Sequence, residues 1–376
     1  MNSGGETNVV VDWDLARSIG KRLVARSPSV SPFEAIEVVD QLRRFAVESA
    51  EHVSAFTGLS APDPGPPTLV VDRQRWLDVN VDAFAVQVQP LLDKIAASRS
   101  GQIAGAVGAV GRRATAFEIG FLLSFIGSRV LGQYEPFLPS IGEGASEHGT
   151  LLLVAPNVVA AERDMRLSPA DFRRWVCLHE ETHRVQFTAV PWMREHVAGL
   201  VRQFLLATEV DPGVVVTWAN NVARAAGDVV RGKAAFSLVD LVTNPDQRRV
   251  MDQLTALMSV LEGHAEFVMD GVGPSVVPTV AEIRTAFNAR RAGRSSLDTL
   301  LRHLLGLEAK MRQYRDGERF VSAVVDRVGM AGFNEVWAAP ANLPSLSELH
   351  DPAAWVARVH AAGAPVAPVA AAHDGR

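Results

Sequence analysis

The 376-residue chain is expected to fold as a mainly α protein of the α+β kind, with many helices around a small β-sheet. Three observations carry that expectation. Apolar residues recur at helical spacing along most of the length. Only one short apolar segment, "TLLLVAPNVV" at 150–159, partly β-branched and bounded by the turn-rich "GEGASEHG", reads as a strand. A composition of 48% hydrophobic and 21% charged residues marks a globular chain able to bury one large core or two ordinary ones.

From the N-terminus, "DWDLARSIGKRLV" and "SPFEAIEVVDQLRRFAVESAEHVSAFTG" predict two helices, the second opening on Ser31 and Pro32 at the cap and first-turn positions. "LSAPDPGPPTL" (59–69) holds too many prolines for a helix or a central strand and reads as a loop or subdomain boundary. A helix near 75–97 is followed by a glycine-rich stretch, 101–139, whose small residues at spacings of three and four permit close helix packing. Arg112, Arg113, Glu118 and Arg129 interrupt that stretch too often for a membrane span, so packing within a core is the expectation. Further helices are predicted at 168–187, 191–207, 212–231, 245–270, 278–291, 297–313 and 317–330, then a looser segment and a final short helix. The Ala/Pro-rich tail is expected to be mobile. This divides the chain into an N-terminal helical region (1–145), a central region (146–345) and a C-terminal helix with tail (346–376).

Composition also excludes. A net charge of −5 and a pI near 6.1, with no dense Lys/Arg run, argue against a nucleic-acid partner. The single cysteine, Cys177, rules out an intrachain disulfide framework and fits a reducing compartment. The N-terminus lacks the pattern of a signal peptide, and no apolar run reaches the ~18–20 residues that span a bilayer. A cytoplasmic location is the resulting expectation.

The segment "CLHEETHRVQF" (177–187) carries the chemistry. His179 and His183 stand one helical turn apart on the same face, where two neutral imidazoles can hold one ion. Glu180, next to the first histidine, is placed to act on a water at that ion, which is the HExxH arrangement with glutamate as general base. "SPADFRRWVCLHEETHRVQF" begins with a capping-box pattern at Ser168 and Asp171, with Pro169 at the first turn. Phe172, Trp175, Val176, His179 and His183 then fall on one inward stripe. The motif alone arises by chance in about one or two of a hundred sequences of such composition, so a third ligand has to be found.

That ligand is sought on "NPDQRRVMDQLTALMSVLEGHAEFVMDG" (244–271), capped by Asn244 and Pro245 and expected to stop at Gly271. Met251, Leu254, Met258, Glu262, Ala265 and Met269 share one stripe, which favours Glu262 as the ligand over Glu266 and His264. Glu266, one turn on, could instead accept the N–H of a ligating histidine. His264 and Cys177 are turned away by their two-residue offsets from Glu262 and His179, and packing is the expected role of Cys177.

"HEETH" followed far downstream by "EGHAE" resembles the gluzincin type of zinc metallopeptidase. Most of the chain, through "SRVLGQYEPFLP", "LLLVAPNV" and "QYRDGERF", is similar to a bacterial family of zincin-like hydrolases commonly labelled zinc-dependent metalloprotease or associated with deazaflavin-coenzyme biosynthesis. Glu181 and Arg184 depart from the usual preference for uncharged residues at those motif positions. The resemblance implies a zincin-like metallopeptidase core and Zn2+ held by His179, His183 and Glu262. It implies that Glu180 serves as base, that Glu266 orients a histidine, and that "TLLLVAPNVV" binds extended substrate along its edge. Cleavage of an amide, most simply a peptide bond in a peptide or protein, follows. The alternatives are a non-catalytic zinc-stabilised scaffold and a non-peptidic amidohydrolase. Of the two tyrosines, Tyr134 and Tyr314, Tyr314 is named as the candidate oxyanion donor, because "QYRDGERF" looks like a polar break between helices.

Overall fold

A computed structural model describes residues 11–60, 67–98, 106–138, 149–207, 244–292 and 307–360. The predicted helix at 212–231, most of the one at 297–313 and the tail lie outside the described residues. The architecture is mainly α around a small three-stranded sheet. Helices α1 (Trp13–Leu23) and α2 (Pro32–Thr57) precede strand β1 (Thr68–Val71). Helices α3 (Arg73–Ser98) and α4 (Ala106–Gly127) lead to strands β2 (Gly132–Glu135) and β3 (Thr150–Val154). Then come α5 (Ala155–Met165), α6 (Pro169–Ala189), α7 (Met193–Leu206), α8 (Pro245–Val276), α9 (Val280–Ala292) and α10 (Leu307–Phe333). Short 3-10 turns and two small helices, α11 (Leu346–His350) and α12 (Pro352–His360), close the described chain. No helix among the described residues is long and apolar enough to cross a membrane.

The sheet order is β1-β3-β2, with β1 parallel and β2 antiparallel to β3. β3 is therefore central, and each of its residues is buried. Leu152 and Val154 face Trp76 and Leu77 of α3, while Leu153 joins the core shared by α2 and α6. Each fully buried leucine contributes about 1.5–3 kcal/mol. This corrects the expectation for "TLLLVAPNVV" in two ways. Its second half is the start of α5, with Pro156 in the first turn, and its first half has no free edge for a substrate because both edges are paired. β1 and β2 escaped the sequence reading because each is only four residues long.

Close packing is the role of Gly120 and Gly127 in the 101–139 stretch. A Cβ on Gly120 would strike the Ala16 carbonyl oxygen of α1, and one on Gly127 would strike the Trp76 ring. Glycine has the same role elsewhere. Helix α8 runs through Gly271 to Val276 rather than stopping there, since Gly271 lies against the Phe56 ring. Gly263 of α8 and Gly317 of α10 cross backbone to backbone, so "QYRDGERF" is continuous helix and not a break. The interruption in α10 falls later, at Gly329, with a φ of 71°.

Candidate metal centre

Helix α6 is held at its N-terminal end by charge. Arg173 donates from Nε to Glu162 Oε2 (3.0 Å) and from Nη2 to Glu162 Oε1 (2.5 Å), and its Nη1 reaches Gln41 Oε1 (2.9 Å). Burial raises the Glu162 carboxyl, and Arg173 pulls it back. Ser168 stands at the cap position but its side chain makes no capping bond, and Asp171 accepts instead from Thr279 Oγ1 (2.7 Å). The capping box read from the sequence does not form, because tertiary packing takes its carboxylate.

Two turns along, Phe172, Trp175 and Val176 are buried as expected, whereas His179 and His183 come to the rim, with side chains 21% and 15% exposed. On α8 the buried ridge is Val250, Leu257, Leu261, His264 and Val268. Of the stripe expected to point inward, Ala265 and Met269 are buried with this ridge, whereas Met258 is exposed and Glu262 sits on the shoulder of the ridge with its side chain 25% exposed. That offset opens the carboxylate onto the histidines instead of burying it in the core.

His179, His183 and Glu262 offer one ligand atom each within 4.8 Å of one another. The two Nε2 atoms are 3.2 Å apart, and Glu262 lies 3.7 Å from His179 Nε2 and 3.8 Å from His183 Nε2. Ligand nitrogens at about 2.0–2.1 Å on a tetrahedral ion would stand about 3.3 Å apart, so the donor set and spacing fit zinc. Sulfur is absent from the triad, and its mixed nitrogen and carboxylate chemistry is that of a catalytic zinc with three protein ligands.

Glu180 is 7% exposed, and burial, the Glu262 charge and the Glu181 charge push its carboxyl up to about 8 in the metal-free protein. A Cβ on Gly132 would come within 2.6 Å of the Glu180 carboxyl carbon, so β2 runs directly past this group. Glu181 turns the other way: its buried carboxyl is pushed up to about 7 by desolvation, against the pull of Arg184, whose Nε donates to it at 2.5 Å. The two charged residues that depart from the motif's preference thus pair with each other through Glu181 Oε2.

Glu266 pairs with Arg284 (3.2 Å), which also meets Asp270 (2.6 Å). The polar atom facing His183 Nδ1 is Gln186 Oε1 (2.9 Å), and Met269 Sδ lies 3.2 Å from His179 Nδ1. Gln186 was missed in the sequence, although its place one turn after His183 was a usable signal. His264 is fully buried between Phe333 and Trp337, and desolvation lowers its pKa to about 3. Cys177 is also buried, with its thiol raised well above the ordinary range by desolvation. Tyr134 lies on β2 against Phe187, and burial raises its hydroxyl pKa. Tyr314 lies in α10, and its side chain is outside the described residues.

Comparison with known proteins agrees with this geometry. The chain is similar to a protein from Chloroflexus aurantiacus, described as a candidate hydrolase with a novel fold, whose crystal structure superposes with a TM-score of 0.67 at 30% identity, covering 93% of this chain and 98% of that one. No curated protein matches the chain. The family model for zincin-like metallopeptidases matches residues 11–356, nearly the whole described length. The chain, a hydrolase by class, therefore belongs to the zincin-like metallopeptidase family.

Proposed function

We propose that the protein is a zinc-dependent peptidase whose metal is held by His179, His183 and Glu262 and whose general base is Glu180. The observation that carries this reading is the convergence of two imidazole nitrogens and a carboxylate within 4.8 Å, beside a buried glutamate. Zinc there supplies Lewis acidity for the scissile carbonyl and makes water more acidic. Glu180 takes the proton of the attacking water on a carboxylate oxygen and delivers it to the leaving amine. Its burial excludes bulk water from that proton transfer, and its place next to His179 keeps it within reach of the reacting atoms without making it a ligand.

The outer edge of β2 suits an extended peptide. Val154 N–H donates to the Leu131 carbonyl (2.8 Å), making Leu131 and Val154 a hydrogen-bonded pair. By antiparallel alternation, the N–H and C=O of Gly132 and Tyr134 then face away from β3. Gly132 also borders Glu180, so a strand added there would bring its main chain past the base. The substrate edge is thus assigned to β2, in place of the β3 segment that the resemblance suggested.

The test is metal analysis together with peptide-library cleavage for the wild type and Glu180→Gln. Zinc in both proteins with cleavage only in the wild type supports the peptidase. Zinc in both with cleavage in neither points to a non-catalytic zinc scaffold, and hydrolysis restricted to small amides points to a non-peptidic amidohydrolase. A wild-type protein that takes up no zinc at neutral pH overturns the ligand assignment.

A further inference from the structure

Gln186 is fully buried in the second half of α6, between the two ligand-bearing helices. Its Nε2 lies 2.9 Å from the carbonyl oxygen of Leu261 and 3.0 Å from Nδ1 of His264, while its Oε1 lies 2.9 Å from Nδ1 of His183. Chemistry fixes which way this amide faces. A backbone carbonyl can only accept, so the group beside Leu261 is the NH2 end. The oxygen end is thereby turned to His183, and because an amide oxygen also only accepts, His183 Nδ1 must carry the proton. Nε2 of His183 is left with its lone pair, directed to the atoms of His179 and Glu262. The second amide hydrogen is taken by His264 Nδ1, whose ring is clamped between Phe333 and Trp337.

We infer that Gln186 is a positioning residue that sets the tautomer of His183 and ties this ligand to the main chain one residue before Glu262. The inference rests on the reading of His179, His183 and Glu262 as zinc ligands. It explains why an amide, rather than the carboxylate that often backs a ligating histidine, stands at this position. Glu180 and Glu262 already bring two carboxylates to the centre, and a third would add buried negative charge. Glutamine orients the ring without adding charge, and its NH2 end links the α6 ligand to the α8 backbone. One rotation of the amide would break all three contacts at once, so the group behaves as a single latch.

The test uses the full chain and two readouts. Zinc affinity is measured by chelator competition for the wild type and Gln186→Leu, and the protonated nitrogen of His183 is read from imidazole 15N shifts in the metal-free proteins. Expected are a wild-type His183 protonated at Nδ1, a mixed tautomer in Gln186→Leu, and a loss of about 10–100-fold in zinc affinity. A wild-type His183 protonated at Nε2, or a variant that binds zinc within twofold of the wild type, overturns the inference. Should Gln186→Leu fail to fold, the wild-type tautomer decides alone. A wild type that shows the Nδ1–H tautomer but binds no zinc sinks the ligand reading and leaves the role of Gln186 in orienting His183 standing.

Discussion

Helix α6 carries two buried groups of charge, and they are built on opposite plans. Near its N-terminus, Glu162 is 3% exposed and meets Arg173 through two hydrogen bonds, with Gln41 occupying a further guanidinium donor. Two turns later Glu180 is nearly as deep, but the charges of Glu262 and Glu181 repel it, and the imidazole nitrogens of His179 and His183 stand 3.2 Å apart beside Glu262. The first group is complete within the chain. The second gathers more lone pairs than donors, and a cation lowers its free energy where the first has little to gain. Burial of charge on a helix therefore does not distinguish structure from function; the balance of donors and acceptors does.

The sharpest way to break this contrast is to neutralise one member of each group. Glu180→Gln should lower the hydrolytic rate by about a hundred- to ten-thousand-fold while zinc content holds, as measured by steady-state kinetics and metal analysis. Arg173→Met should leave zinc stoichiometry unchanged and cost about 3–5 kcal/mol of stability in urea unfolding, because Glu162 is then buried without its partner. A loss of activity without loss of stability in Arg173→Met would erase the distinction between the two groups.

Smaller effects sharpen it. Glu180 has a folded pKa of about 8 against an ordinary value of 4.5, so the folded metal-free protein holds a proton that the unfolded chain has released between those limits. Stability of the metal-free protein should accordingly fall as pH rises from about 4.5 to about 8, and level off above. A single such group gives a slope of about 1.4 kcal/mol per pH unit. Urea unfolding at several pH values should show a shallower slope in Glu180→Gln, and also in zinc-loaded wild type, where the cation favours the ionised carboxylate. An unchanged slope in the variant would show that Glu180 is not the group responsible. The smallest expected change is that of Gly132→Ala, whose Cβ meets the Glu180 side chain. Overpacking of about 1–3 kcal/mol should displace the base and reduce kcat by roughly tenfold with zinc retained.

Sequence and structure part company along the same line. The helices, their proline-marked starts and the i,i+4 histidines were legible because they follow local rules, and Asn244 does cap α8 by accepting from Gln247 N–H (2.8 Å). Glu262 could be named from its stripe, yet its half-exposed position on the shoulder of the buried ridge is set by how α8 seats against α6 and α10, which periodicity does not carry. β2 was hidden because four residues cannot display an alternating pattern, although they supply the edge beside Glu180. Gly271 reads as a stop because glycine disfavours helix, and the segment around Gly317 reads as a polar break. Their tertiary role, making room for a ring and for a backbone, outweighs that propensity.

The crossing of Gly263 and Gly317 carries a consequence for how this protein can vary. Gly263 immediately follows Glu262, and a side chain at Gly317 would meet the Ser259 carbonyl one turn before it, so the ligand sits beside a backbone-to-backbone contact between two long helices. Enlarging either residue would push α8 and its carboxylate off α10 together. The spacing of the ligand set is thus a property of a helix pair: neither position has a side chain to give up, so a larger residue at either one has to be absorbed by a shift of α8 against α10.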